Sequence, residues 1–185
     1  MDNAAVIQVG PATRLRRWHA SDLDDLLRHA DDAEVSRGLS ERFPCPYTRA
    51  DGEAFLRGDV LDFANPTFAI EIDGKACGGI GARPFAGDRG VGAEFGYWLG
   101  RAHWGRGEMS RVVGVFAPWA MQKLSLQRLQ ATVLDFNHAS ARVLQKNGFV
   151  EEGVMRQAVR KHGRLHDLRL FARINEGGAG AGTAA

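Results

Sequence analysis

The chain is 185 residues long, 44% hydrophobic and 25% charged, with a formal net charge of +2. These are the proportions of a globular protein long enough to bury a core. The near-neutral balance offers no broad basic field for nucleic acid, and no apolar run approaches the ~20 residues needed to cross a membrane.

Residues 1–10 lack the charged start and apolar stretch of a signal peptide, so a cytoplasmic location is expected. Residues 1–10 and 176–185 are small, polar or glycine-rich and are expected to be disordered, leaving 11–175 as one domain. Thr13 to Trp18 reads as a first strand. Ser21 is placed to cap a helix over Asp22 to Ala30, with acidic residues in its first turn. One or two helices are expected between Ala33 and Val60, interrupted around Phe43-Pro44-Cys45-Pro46. Thr67 to Ile72, the turn Asp73-Gly74 and the run from Lys75 onward make the strongest hairpin signal in the chain.

A further strand is expected from Val91 to Leu99, then a glycine loop, then a helix reaching Leu124 that Pro118 should kink or end early. Arg128 to Leu134 reads as a strand and Ala139 to Lys146 as a helix stopped at Gly148. Phe149 to Val159 and Leu165 to Ile174 form a closing hairpin around Lys161-His162-Gly163-Arg164. The resulting order, β–α–α–β–β–β–α–β–α–β–β, belongs to an α+β domain on a mixed sheet.

The loop Trp104-Gly105-Arg106-Gly107-Glu108-Met109-Ser110 is the most informative segment. Two glycines between a strand and a helix let backbone N–H groups crowd around an anion, and the first helical turn adds partial positive charge. No Lys-Ser or Lys-Thr follows the glycines, so Mg-phosphate chemistry of the P-loop kind lacks its parts. An ordinary strand-to-helix turn is the plain alternative.

Three segments in this order, Glu94-Phe95-Gly96-Tyr97-Trp98-Leu99, the glycine loop, and Asn137-His138-Ala139-Ser140 running to Gly148-Phe149, resemble the GNAT superfamily of acetyl-CoA-dependent N-acetyltransferases. The similarity is greatest to its ribosomal-protein N-terminal acetyltransferase branch and spans about Thr13 to Ile174. It implies the GNAT fold, a central mixed, mostly antiparallel sheet flanked by helices. It also implies acetyl-CoA as co-substrate and no metal, and Tyr97, Trp98, Leu99, Trp104 to Ser110, Asn137 and Arg142 as its binding residues. Glu108 and Arg111 depart from the usual loop; Glu108 is expected to point outward, away from a bound phosphate.

Direct acyl transfer to an amine needs a proton acceptor, an oxyanion donor and help for the leaving thiolate. Glu94 is the candidate base, a backbone N–H near Gly96 to Leu99 the oxyanion donor, and Ser140 the partner of the thiolate. Each has a plainer reading: Glu94 as an ion-paired strand residue, Ser140 as a hydroxyl bonded to its own helix, Asn137 as a helix cap. The acceptor is read as a protein N-terminus, with a small amine (aminoglycoside, polyamine or amino acid) or a non-catalytic coenzyme A-binding role as alternatives. The resemblance also makes a homodimer through the terminal strands an option.

Cys45 and Cys77 read as free thiols, with neither placed as an acyl-accepting nucleophile. His19, His29, His103 and His138 are scattered along the chain, and His162 and His166 flank the last turn without a third ligand. Trp18, Trp98, Trp104 and Trp119 are expected in the core or under the loop, and the basic run Arg156 to Arg169 on a solvated face.

Overall fold

The computed structural model describes residues 6–161 and 163–175. Eight strands form one sheet in the order β1-β2-β3-β4-β5-β6-β8-β7. They are β1 (Ile7–Gln8), β2 (Thr13–Arg16), β3 (Thr67–Ile72), β4 (Lys75–Pro84), β5 (Gly92–Leu99), β6 (Arg128–Leu134), β7 (Val150–Lys161) and β8 (Arg164–Ile174). Every neighbouring pair is antiparallel except β5 and β6, which run parallel. Five helices flank it: α1 (Leu23–Ala30), α2 (Ala33–Arg37), α3 (Arg49–Arg57), α4 (Glu108–Lys123) and α5 (His138–Lys146). The α+β class and mixed, mostly antiparallel sheet expected from the sequence are therefore present.

Disorder across residues 1–10 is corrected at its end, because Ile7 pairs with Leu15 and packs on the main core. Residues 1–5 and 176–185, where disorder is also expected, lie outside the described residues, as does His162. The β3–β4 turn has both central residues at positive φ, Asp73 at 50° and Gly74 at 79°, the geometry that an Asp-Gly hairpin favours. Ser21 does not cap α1. It sits in a 3-10 turn, Ala20–Asp22, and Asp22, the residue before α1, turns its carboxylate back to accept the His19 N–H at 2.8 Å rather than an N–H of α1. Tertiary pairing decides this: the same carboxylate binds both Arg16 guanidinium nitrogens at 2.7 and 2.8 Å.

Pro118 does not end α4, which runs on to Lys123. The Gly114 carbonyl that loses its partner is on the exposed face of the helix, where water can satisfy it. The opposite face supplies Val112, Val113, Phe116, Ala117 and Ala120, all fully buried. Phe116 meets Phe68 of β3 and Phe95 of β5, so α4 covers one face of the sheet. On the other face, Trp18, Trp98 of β5, Phe43 and Phe55 of α3 make a second aromatic cluster with Leu26 and Ala30 of α1. Gly79 of β4 leaves room for it: a side chain there would come within 2.7 Å of the Trp98 indole nitrogen.

Candidate active site

The parallel pairing of β5 with β6 covers only Gly92 to Glu94 against Arg128 to Gln130. Beyond Glu94, β6 keeps pairing with β8 through Leu134 while β5 keeps pairing with β4 through Leu99. The two strands thus part company, leaving a gap, and the β5 edge beyond Glu94 has no strand partner on the β6 side. Helix α5 opens directly after β6 and α4 follows β5 through the glycine loop, so both helix N-termini lie at the same end of the gap.

The loop is built as its composition suggests. Gly105 and Gly107 adopt φ of 73° and 76°, a left-handed backbone that residues with a Cβ adopt only at a cost. Gly107 is the residue before α4, and Arg111 N–H returns to its carbonyl at 3.1 Å. Among the described residues, none of the six amides from Gly105 to Ser110 has an acceptor outside the helix. Such a row of unspent donors at a helix N-terminus suits a phosphate. The Trp104 indole donates to the Leu99 carbonyl at 2.7 Å, tying the loop entrance to the end of β5, while the ring itself stays 45% exposed rather than buried under the loop.

Glu108 is tied down within the fold. Its carboxylate accepts from Thr13 Oγ1 at 3.2 Å and pairs with Arg111, with 15% of the side chain exposed. The two departures from the usual loop therefore neutralise one another, and β2 anchors the start of α4.

Across the gap, the Tyr97 hydroxyl lies 2.8 Å from Ser140 Oγ and 3.3 Å from the Ser140 carbonyl. Burial pushes the Tyr97 phenol up to about 12, only partly offset by the Ser140 hydrogen bond. Asn137 caps α5 by accepting the Ser140 N–H at 3.1 Å, and its amide nitrogen lies against Gly38. The plain reading of Asn137 is the observed one. Arg142 and Arg106 are exposed, and Met109 packs on the main core.

Glu94 is the last β5 residue paired with β6. Alternation puts it on the face of Trp98, opposite to Phe95 and Tyr97. Its partners are loose: Thr132 Oγ1 at 3.5 Å and Arg83 at 3.7 Å, with a third of the side chain exposed. The two candidate catalytic residues thus flank the gap from opposite faces. Trp98 shares the Glu94 face, so only its backbone adjoins the gap from the loop side.

Two features escaped the sequence. Asn147, read only as part of a helix end before Gly148, donates to the Ser110 carbonyl at 3.1 Å and locks α5 to the first turn of α4. His29, Cys77 and His103, scattered in sequence, meet in space. Cys77 is buried, which pushes its thiol up to about 11 and makes it a poor nucleophile near neutrality. Cys45 is exposed and free.

The family model of the acetyltransferase (GNAT) domain matches residues 13–150. The uncharacterized N-acetyltransferase p20 of Bacillus licheniformis is 27% identical over 175 residues, covering 90% of this chain and 94% of that protein. The ribosomal-protein-serine acetyltransferase of Escherichia coli (strain K12) is 34% identical over 82 residues, covering 44% of this chain and 46% of that enzyme. Several curated relatives, that one included, are matched over just under half their length. A crystal structure of RimL, a ribosomal L7/L12 α-N-protein acetyltransferase in complex with coenzyme A, superimposes with a TM-score of 0.79 at 22% identity, over 92% of this chain and 98% of the other.

Proposed function

Because the chain belongs to the GNAT acetyltransferase family, we propose that it transfers the acetyl group of acetyl-CoA directly to the α-amino group of a protein N-terminus. The observation that carries this reading is the parting of β5 from β6 beyond Glu94 and Gln130, between a glycine loop and a hydroxyl pair. The amides from Gly105 to Ser110 hold the pyrophosphate, and the pantetheine arm runs into the gap past Asn137 and Met109. A free N–H on the β5 edge between Gly96 and Leu99 binds the thioester carbonyl; donors of this kind are typically worth ~10²–10³ in rate.

The amine approaches from the face that carries Glu94. Its nitrogen attacks the carbonyl carbon, its proton passes to Glu94 directly or through water, and the C–S bond breaks as the C–N bond forms. Ser140 and Tyr97 offer hydrogen bonds to the departing sulfur. Full proton transfer from Tyr97 is disfavoured: with the phenol at about 12 and a simple thiol near about 8.5, it runs uphill by about 5 kcal/mol. Hydrogen bonding is the role left to it.

The α-amine acceptor is favoured by arithmetic. With a pKa of about 7.7–8.0, roughly a third of it is neutral at pH 7.5, against about one in a thousand for a lysine at about 10.4. A loosely held carboxylate such as Glu94 suffices for the first and not for the second. A polycationic acceptor would need free acidic side chains near the entrance, and among the described residues several of the acids around the first helices are engaged. Asp24 pairs with Arg49, Asp31 accepts the Tyr47 N–H, and Asp32 caps α2 while pairing with Arg101. Thiol release from acetyl-CoA with matched peptides, free or blocked at the N-terminus and carrying an internal lysine, tests the reading. Acetylation of the free N-terminus alone is expected; faster turnover of blocked peptides or polyamines would redirect the assignment.

A further inference from the structure

Three elements that share no sequence neighbourhood converge behind the loop entrance. His29 lies in the last turn of α1, Cys77 lies on β4, and His103 closes the 3-10 turn Arg101–His103 that leads into Trp104. Their ligand atoms all lie within 4.8 Å of one another. The backbone makes the meeting possible: Gly100 donates to the Cys77 carbonyl at 2.7 Å, and any side chain at Gly100 would overlap the His29 ring. His29 also borders an open surface cleft with Arg28, Asp32, Arg101 and Ala102.

We propose that His29, Cys77 and His103 form a binding site for one zinc-type divalent ion, separate from the acyl-transfer gap. One thiolate and two imidazoles are the donor set that borderline-soft ions prefer, with water as fourth ligand. Tetrahedral bonds of about 2.0–2.3 Å place ligand atoms about 3.3–3.8 Å apart, so closure by about 1 Å completes the site. On binding, the Cys77 thiol, which now donates to the Lys75 carbonyl at 3.3 Å, gives its proton to solvent and turns to the metal. Asp25 supplies negative charge nearby, against Arg28 and Lys75. The ion would join α1, β4 and the loop entrance and steady the residues that precede Gly105.

Tag-free, chelator-treated Cys45→Ser protein isolates the test, because Cys45 is the other thiol and is exposed. Titration with Co²⁺ is expected to saturate at one ion per chain, with a thiolate-to-cobalt charge-transfer band that Zn²⁺ displaces. Cys77→Ala should abolish the band, and His103→Asn, at a half-buried position outside the core, should weaken Co²⁺ binding at least tenfold while far-ultraviolet dichroism stays unchanged. Zn²⁺ should raise the melting temperature of the Cys45→Ser protein and not that of its His103→Asn derivative. Absence of the charge-transfer band at saturating Co²⁺, its survival in Cys77→Ala, or unchanged Co²⁺ affinity in His103→Asn would overturn the site.

Discussion

Removing either hydroxyl of the Tyr97–Ser140 pair separates the proposed chemistry from a purely architectural role. The pair spans 2.8 Å between β5 and α5, so Tyr97→Phe or Ser140→Ala should cost the fold only about 1 kcal/mol, the net worth of one hydrogen bond. The cost to turnover is expected to be larger. A hydrogen bond to a charged group is worth about 1.5–3 kcal/mol, and sulfur carries charge only as the C–S bond breaks. kcat should therefore fall roughly 10- to 150-fold, with KM for acetyl-CoA nearly constant because the ground-state thioester is a weak acceptor. The double variant should lose little more than the worse single one, since both act on one sulfur. With the phenol at about 12, kcat should also show no loss from Tyr97 ionisation at any pH below about 11. Stopped-time thiol release with saturating peptide measures all of this. If both folded single variants retain kcat within twofold, the pair serves only to hold α5 against β5.

Glu94→Gln should lower kcat/KM for an N-terminal peptide about 100-fold at pH 7, and the deficit should shrink as pH rises past the amine pKa of about 8; parallel pH profiles for variant and parent would remove the base assignment. Gly107→Ala forces a Cβ into φ 76° at a cost of about 1–2 kcal/mol. It should raise KM for acetyl-CoA about tenfold with kcat held, which calorimetry with coenzyme A checks directly. Glu71 lies against Arg14 and Arg16; burial opposes its ionisation, but the two guanidinium hydrogen bonds outweigh this and hold its carboxyl below the ordinary range. A depressed carboxylate stabilises the fold above its unfolded pKa of about 4.3 and loses that contribution as pH falls. Glu71→Gln should accordingly destabilise by about 3 kcal/mol at pH 7, with the gap to the parent narrowing in urea melts as pH falls below the ordinary glutamate range.

What the sequence conveys here is local chemistry. Asp73-Gly74, Gly105 and Gly107, Asn137 and Gly148 specify backbone geometry over a few residues, and each is where the reading placed it. What it hides is tertiary selection. Ser21 has cap propensity, but it sits inside a 3-10 turn whose last residue, Asp22, is held by Arg16 and the His19 N–H. Pro118 breaks helices by rule, yet it falls where the orphaned carbonyl is on the exposed face. Tyr97 and Ser140 were legible separately; that they touch follows only from the β5–β6 separation. His29, Cys77 and His103 carry no shared spacing at all.

In the proposed reaction the sheet between Glu94 and the Tyr97–Ser140 pair would work as a partition with a single window. Donor and acceptor would then enter by separate doors, so neither would have to depart before the other arrives. The expected rate law is sequential, with intersecting double-reciprocal lines, and spent coenzyme should compete with acetyl-CoA but not with the peptide.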